Sequence, residues 1–596
     1  MCGIFGIVTT SEQNLGPILV EAGRWLTYRG YDSVGCATLT QDGRIDLRKD
    51  VGKIEAVASR LNFGSMAGTR GIIQLRWATF GAPSQENAQP HLDSDGDLVG
   101  AHNGNVVNHV EMRQIFKKEG MKIRSTNDGE TVVHAVELYV DRGYPLADAV
   151  RLAYQDLAGD YAFVIGRAGQ NTLCAIKKGS GLVVGLAEGA TCVSSDLPSI
   201  LPVTRRIIRI NDGEIVTLWA DHVEIRRVVD GELVTREPEV FTESMEAAQK
   251  GGYSHFMLKE IHEQPQAAGE LVRLLEDSPV VLPMVERMST ARNLYLVGCG
   301  SSYHACVLGS IYLSWLAGRP AIPILAPQFV AQYAPTITSS DVAVFVSQSG
   351  ETKDVLNAEE TARQHGCKTL GLVNVIGSSL TKVAEHYLPI ACGYEISAAA
   401  TKTFTNQSVA LLYLALQMAS LPSASLARLP ELLECTLQGI EQQVRGLETH
   451  LANWPEMYCL GYGATYPIAL EGALKIKQIT YLHCEGMLST EFKHGSLAAV
   501  TQDYPVLFIA GPEDTALMIS GINEVTCRGG RAMVIAEGNP RLQANANYLL
   551  TLPQSGPLLT PLAAMLPLQM LAYRISLRCG NDPDYPRNLT KSYTVD

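Results

Sequence analysis

The second half of the chain repeats itself. "LYLVGCGSSYHA" (Leu294 to Ala305) is matched by "MYCLGYGATYPI" (Met457 to Ile468), with Gly298 over Gly461, Gly300 over Gly463 and Tyr303 over Tyr466, each pair 163 positions apart. The same offset lays Val342–Val346 over Pro505–Ile509, Gly366 over Gly529, and Thr369–Val373 over Ala532–Ala536. Chance does not hold one offset across separate segments, so the chain carries two copies of one domain. Within each copy, β-branched runs end in Gly or Ser and lead into helix-length segments such as "AEETARQHG". That alternation predicts βαβ units and a parallel sheet. Ligands of such sheets gather at the carboxyl ends of the strands. Tyr303 and Tyr466 fall where a third glycine would complete G-x-G-x-x-G, so no dinucleotide fingerprint is predicted.

The copies differ where chemistry would sit. After the Val342–Val346 run the first reads "SQSGET" (Ser347 to Thr352); the second reads "AGPEDT" (Ala510 to Thr515). Ser347, Ser349 and Thr352 bring three hydroxyls to a strand-to-helix turn, beside Gly350 and the free N–H groups of the next helix. That combination suits a phosphate. A serine N-cap accounts for one hydroxyl but not for three. Ser301 and Ser302 on the neighbouring turn would add donors. The first copy is therefore expected to hold an anion and the second to serve as scaffold.

The front half is different in kind. "CGIFGIV", "YAFVIG", "TLCAI" and "EIVTLW" predict strands of layered sheets, with helices around residues 15–27 and 130–154. Its expected end is near residue 240, before "TESMEAAQKGGYSHF", where Gly251 and Gly252 mark a linker. Cys2 stands out. Removal of Met1 would leave it with a thiol and a free α-amine of pKa about 8, a general base built into its own nucleophile. The alternative is a small apolar residue opening a strand.

At 596 residues the chain is expected to form several domains. Hydrophobic residues at 46% and charged residues at 18% fit a globular protein. The net charge of −13 argues against a general nucleic-acid binder. Apolar runs such as "VAVFV" are far too short to span a membrane. Thirteen cysteines without a C-x-x-C pair signal neither zinc nor a disulfide framework. With no export signal in the sequence, a reducing cytoplasm is the expected location.

Together, "MCGIFGIV", "YRGYDSVG", "RWATFGAPS", "HNGNVVNH", "KEIHEQP", "SQSGET", "EGALKIKQITYLH", "EFKHGSLA" and "PRNLTKSYTVD" resemble the glutamine-dependent glucosamine-6-phosphate synthase (glutamine–fructose-6-phosphate aminotransferase) family nearly end to end. The resemblance implies an α+β N-terminal-nucleophile glutaminase, a layered α/β/β/α sandwich, followed by two α/β sugar isomerase (SIS) domains with parallel sheets. The expected bounds are 1–240 for the glutaminase, 241–285 for a linker and connecting helix, 286–440 for the first SIS domain and 441–596 for the second with its catalytic tail.

The family's roles carry over residue by residue. Cys2 would attack the glutamine amide, and Asn103 and Gly104 would form the oxyanion hole. Arg76 and Asp128 would hold the glutamine zwitterion, with Thr79 nearby and Trp77 as the gate of an internal ammonia channel. Ser301, Ser302, Ser347, Gln348, Ser349 and Thr352 would hold the sugar phosphate, and Ala398, Gln478 and Thr590 would line the sugar site. Lys591 would form a Schiff base with the ketose, His494 would open the sugar ring, and Lys475, one turn from Glu471, would move a proton at carbon 1. No metal or organic cofactor is implied. The expected partners are glutamine, a sugar phosphate and a second copy in a homodimer, with no nucleic acid and no membrane.

Departures from the family pattern are equally specific. Gln74, Phe80 and Gln89 stand where histidines are usual, and Gln478 stands where the family carries a glutamate that moves protons during isomerisation. Glutamine accepts hydrogen bonds but is no base near pH 7. Lys475 or Glu485 would then have to substitute. Ala398 and Ala400 hint at a reshaped pocket. The leading reading is amination of fructose 6-phosphate to glucosamine 6-phosphate. The alternatives are a paralogue acting on another sugar phosphate or without isomerisation, and a sugar-phosphate sensor with relic sites.

Overall fold

The computed structural model describes residues 2–241 and 250–591. The chain divides into two compact units, within residues 1–248 and 249–591.

The first unit is built on two antiparallel sheets. One orders its strands Glu239–Val240, Arg206–Arg209, Val183–Ala187, Ala190–Ser194, Gly3–Asn14, Ala67–Arg76, Ser33–Leu39, Ile45–Val51. The other runs Val223–Arg227, Glu214–Leu218, Leu173–Lys178, Gly159–Arg167, Leu98–Val106, His91–Leu92. The two-residue period of a strand decides the layering. Ile4, Val8 and Ile72 of the first sheet meet Ala162, Val164 and Val216 of the second. Their neighbours Phe5, Ile7 and Ile73 point the other way, onto Leu19 and Ala22 of the Gly16–Trp25 helix. On the far side, Phe163 and Ile165 meet Val133 and Val136 of the Asp128–Val140 helix and Ala149 and Ala153 of the Leu146–Asp156 helix. Both faces of both sheets are buried, which gives four layers, α/β/β/α. All four predicted strand segments and both predicted helical regions are present. The linker sequence lies mostly outside the described residues.

In the second unit the duplication becomes two five-stranded parallel sheets. The first is ordered Ile322–Leu325, Leu294–Gly298, Val342–Ser347, Lys368–Val373, His386–Pro389; the second His483–Leu488, Glu456–Gly461, Pro505–Ile509, Arg531–Glu537, Tyr548–Leu552. Each strand has its counterpart at the expected offset, in the same spatial order. The second strand of each copy lies on one side of the first strand, and the later strands lie on the other. The order therefore reverses between the first and third strands, and the turns after them open a crevice at that point. Buried residues of both copies merge into one core, including Leu308, Leu411, Ile476 and Leu571. No helix of the described residues is long and apolar enough to cross a membrane.

Candidate active sites

Strand pairing places Cys2. Gly3 is in register with Leu75, so the thiol falls beside Trp77. The Trp77 N–H donates to Cys2 Sγ at 3.3 Å, and the Sγ–H reaches the Trp77 carbonyl at 3.4 Å. Arg29 Nε donates to the Cys2 carbonyl at 3.2 Å. Burial pushes the Cys2 thiol up. Arg76 Nη2 donates to the carbonyls of Phe80 and Gly81 at 2.5 and 2.6 Å, while its buried Nη1 has no partner among the described residues. Asp128 opens its helix, fully buried, and accepts from the Val106 N–H at 2.9 Å. Trp77 meets Tyr31 edge-on at 5.8 Å; Thr79 is exposed.

The Cys2 strand packs on the Leu98–Val106 strand, which carries Asn103 and Gly104. Asn103 is buried, and neither side-chain amide atom has a partner among the described residues. Gly104 has φ of 104°, and a Cβ there would lie 2.1 Å from the Asp160 carbonyl oxygen, so glycine is required. An unsatisfied buried amide calls for an explanation. Donors held ready in a dry site suit an oxyanion.

The departures in this unit form a neutral clamp. Gln74 and Gln89 both donate to the His102 carbonyl, at 3.3 and 3.1 Å, and the His102 N–H donates to Gln89 Oε1 at 2.7 Å. These amides hold the backbone just before Asn103 without a titrating group. Phe80 packs on His109 with ring centroids 4.9 Å apart.

In the second unit the crevice of the first copy is lined as its sequence implies. Ser347 Oγ accepts from the Gly350 N–H at 3.0 Å, and Ser349 Oγ from the Glu351 N–H at 3.1 Å. Gly350 has φ of 65°, and a Cβ there would meet Ser378 Oγ at 2.1 Å. Thr352 precedes the Lys353–Gln364 helix without capping it by its side chain. The Gln348 carbonyl accepts from the N–H groups of Asn374 and Val375 at 3.1 and 3.2 Å, tying the turn to the next strand. The Ser378 hydroxyl is buried with no partner among the described residues; sequence reading missed it. Ser302 instead faces inward and accepts from Gln407 Nε2 at 2.9 Å. The corresponding turn of the second copy has Ala510 and Pro512 where the first has Ser347 and Ser349, so it lacks those donors.

The second copy is nevertheless more than a scaffold. Glu471, Lys475 and Gln478 lie at helical spacing on one face of the Tyr466–Thr480 helix, and that face meets the first copy. Glu471 accepts from Ser301 Oγ at 2.8 Å and from Lys475 at 3.1 Å, and pairs with His304 Nδ1 at 2.7 Å. Lys475 also donates to Ser301 Oγ at 3.1 Å and to Gln478 Oε1 at 2.6 Å. Burial alone would raise the Glu471 carboxyl, but Lys475 and His304 hold it below its ordinary value. Burial lowers Lys475 despite Glu471. His304 was not foreseen: one histidine in a helix turn carries no signal by itself.

Lys591 pairs with Glu395 and donates to the Ser397 carbonyl at 2.9 Å. Thr590 beside it is buried. The Ala398 N–H donates to the Asp584 carbonyl at 3.3 Å, so the tail lies along the "ISAAATKTF" segment. Glu260 accepts from the N–H groups of Ile396 and Ser397 at 2.5 and 3.0 Å. Among the described residues no cluster of His, Cys, Asp and Glu could hold a metal ion.

Residues 75–202 match the glutamine amidotransferase domain, and residues 287–417 and 450–577 match the SIS domain. Over its whole length the chain is 39% identical to glutamine–fructose-6-phosphate aminotransferase [isomerizing] of Methanothermobacter thermautotrophicus, across 606 aligned residues covering all of both proteins. It is 38% identical to the Aquifex aeolicus protein of the same name, again over both full lengths. The chain belongs to the glutamine–fructose-6-phosphate aminotransferase family. Among solved structures it is similar to the C-terminal domain of glucosamine-fructose-6-phosphate aminotransferase from Francisella tularensis. That match has a TM-score of 0.52 and 29% identity, and covers 57% of this chain and all of that one.

Two residues expected at the sugar site are exposed on this chain. His494 is exposed on the short Phe492–His494 turn, and Glu485 is exposed on the edge strand His483–Leu488. The carboxylates that contact the two site lysines are others: Glu471, on Lys475, and Glu395, on Lys591. Glu260 lies within "KEIHEQP", and Glu395 directly precedes "ISAAATKTF". Both neighbouring motifs were legible, but the link to a lysine 196 residues away from Glu395 was not.

Proposed function

We propose that this protein releases ammonia from glutamine and transfers it to fructose 6-phosphate, forming glucosamine 6-phosphate. Cys2 attacks the glutamine amide carbon, and Asn103 and the Gly104 backbone receive the oxyanion. Arg76 and Asp128 hold the zwitterion by charge pairing, beside Trp77 and Thr79. In the sugar site Ser347, Gln348, Ser349 and Thr352, with Ser301 and Ser302, take the phosphate. Lys591 forms the Schiff base, and Lys475, held by Glu471, moves the proton.

The observation that carries this reading is the Ser301–Glu471–Lys475 cluster, which joins the crevice of one repeat to a helix of the other. His494 is exposed on its own chain. We therefore assign ring opening to His494 of a second copy in a homodimer, located in the cytoplasm, where thiols such as Cys2 stay reduced. The bounds 1–240, 241–285, 286–440 and 441–596 are the proposed division of the chain.

One observation favours a second reading. Gln478 accepts a hydrogen bond from Lys475 where the family has a carboxylate, which suits amination without brisk isomerisation or a different ketose phosphate. Borohydride trapping with a panel of ketose phosphates tests both. Fructose 6-phosphate should label Lys591 best, and glucosamine 6-phosphate should be released with glutamine. Preferential labelling by another ketose, or an aminated product that keeps the ketose skeleton, establishes the second reading. No adduct with any ketose would leave only a binding protein.

A further inference from the structure

Glu395 is a fully buried carboxylate fixed from several sides. Oε1 accepts from the Thr401 N–H at 2.9 Å, Thr401 Oγ1 at 3.2 Å and the Thr403 N–H at 2.9 Å. Oε2 accepts from Thr403 Oγ1 at 2.7 Å and pairs with Lys591 Nζ. These threonines open the Lys402–Met418 helix, whose N-terminus favours negative charge. The carboxylate is thus an anion held in place before any substrate arrives, in contact with the nitrogen that is to become covalent.

Other charges face this pair, and most have partners of their own. Lys402 pairs with Glu263 at 2.5 Å, and Lys475 with Glu471 at 3.1 Å. Glu260, on the Phe256–His262 helix, accepts from the 396–397 backbone and from Ser397 Oγ. The nearby Cys392 thiol is buried and pushed up to about 12, so it is neutral. Glu395 is the anion in contact with Nζ.

We propose that Glu395 is a catalytic residue of the amination: the fixed counter-anion that keeps the imine on Lys591 protonated. The proposal rests on the reading that Lys591 forms the Schiff base. The neutral amine attacks the ketose carbonyl carbon, and the C=O pair moves to oxygen, which takes a proton. The carbinolamine then loses that hydroxyl as water while the nitrogen lone pair forms C=N. From the ketone and the Lys591 ammonium the products are one protonated imine and one water, and Glu395 is unchanged. Only the protonated imine draws electrons strongly from the neighbouring carbons, and burial without an anion would disfavour it.

The test is borohydride trapping with fructose 6-phosphate across about pH 6 to about 9, with the labelled peptide mapped by mass. The full-length wild type is compared with Glu395→Gln and Glu395→Asp. Wild type should be labelled at Lys591. Glu395→Gln should lower the trapped yield at neutral pH by about tenfold and shift the alkaline limb of the profile down by about one unit or more. Glu395→Asp should be intermediate. Binding of inorganic phosphate, which forms no imine, should stay near wild type in both when measured by calorimetry. A Glu395→Gln protein labelled as fully as wild type, with the same profile, overturns the proposal. If that variant does not fold, an unshifted profile in Glu395→Asp or Thr403→Val overturns it equally. Wild type unlabelled at Lys591 would instead overturn the Schiff-base reading itself.

Discussion

Lys475 donates to Gln478 Oε1 at 2.6 Å from one turn away on the same helix, while its other side pairs with Glu471 at 3.1 Å. The lysine is thus held between a carboxylate and an amide, and the amide cannot take a proton near pH 7. Gln478→Glu places a second carboxylate at the same reach. General acid–base assistance is worth ~10²–10⁴ in rate. The yield of glucosamine 6-phosphate from glutamine and fructose 6-phosphate should rise by up to ~10²-fold in that variant. Product analysis of both proteins decides. If the natural enzyme already releases the aldose at the variant's rate, the Lys475–Glu471 pair is itself the shuttle.

The phosphate site is tested at Ser347 and Ser349. Their hydroxyls orient the Gly350 and Glu351 amides, so their loss removes donors and loosens the turn. Hydrogen bonds to a charged group contribute about 1.5–3 kcal/mol each. The double alanine variant should weaken binding of fructose 6-phosphate by a few kcal/mol in calorimetry. Alanine at Glu513 and Asp514, in the corresponding turn of the second copy, should leave binding unchanged. Equal affinity in wild type and the serine variant would place the phosphate elsewhere.

What could be read beforehand follows from how each feature is encoded. The repeat was legible because both copies need the same strand-ending glycines, Gly298 and Gly461, and the same apolar runs at one offset. The turn hydroxyls were legible because all three fall within six residues. Glu395, Glu260, His304 and Ser378 were not, since each is defined by a partner distant in sequence and none belongs to a local chemical pattern. The separate partners of Ser301 and Ser302 were not legible, because a helix turn splits adjacent residues: Ser301 faces Glu471, whereas Ser302 faces Gln407. The roles of Gln74 and Gln89 needed the strand register that brings both to the His102 carbonyl.

In the first unit, Cys2→Ala should abolish glutamine hydrolysis while synthesis from added ammonia continues. Asn103→Ala should reduce hydrolysis by ~10²–10³-fold, the usual effect of removing one oxyanion donor. An uncleavable extension before Cys2 should match Cys2→Ala, because the α-amine is then an amide. Glutaminase and ammonia-dependent assays on the three variants separate these outcomes. Full hydrolysis by the extended protein would show that the amine is not the base.

The two buried carboxylates near Lys591 set opposite pH dependences. Burial and the charge of Glu395 push Glu260 up to about 7. Between its ordinary value of 4.5 and about 7 the folded state holds a proton that the unfolded chain has lost, so stability falls as pH rises through that window. Burial would raise Glu395 as well, but Lys591 and the Thr401 and Thr403 donors lower it to about 2. Between about 2 and 4.5 the unfolded chain binds the extra proton, so stability is lost as pH falls. The second unit should therefore lose stability from these groups on both sides of the point where the windows meet. Glu260→Gln keeps an acceptor for the Ile396 and Ser397 amides but cannot ionise. It should flatten the decline between mildly acid and neutral pH and leave the acid limb in place. Amide exchange of the buried Lys402–Met418 helix, followed against pH, reports this unit directly. An unchanged slope in Glu260→Gln would assign the neutral-side decline to another group.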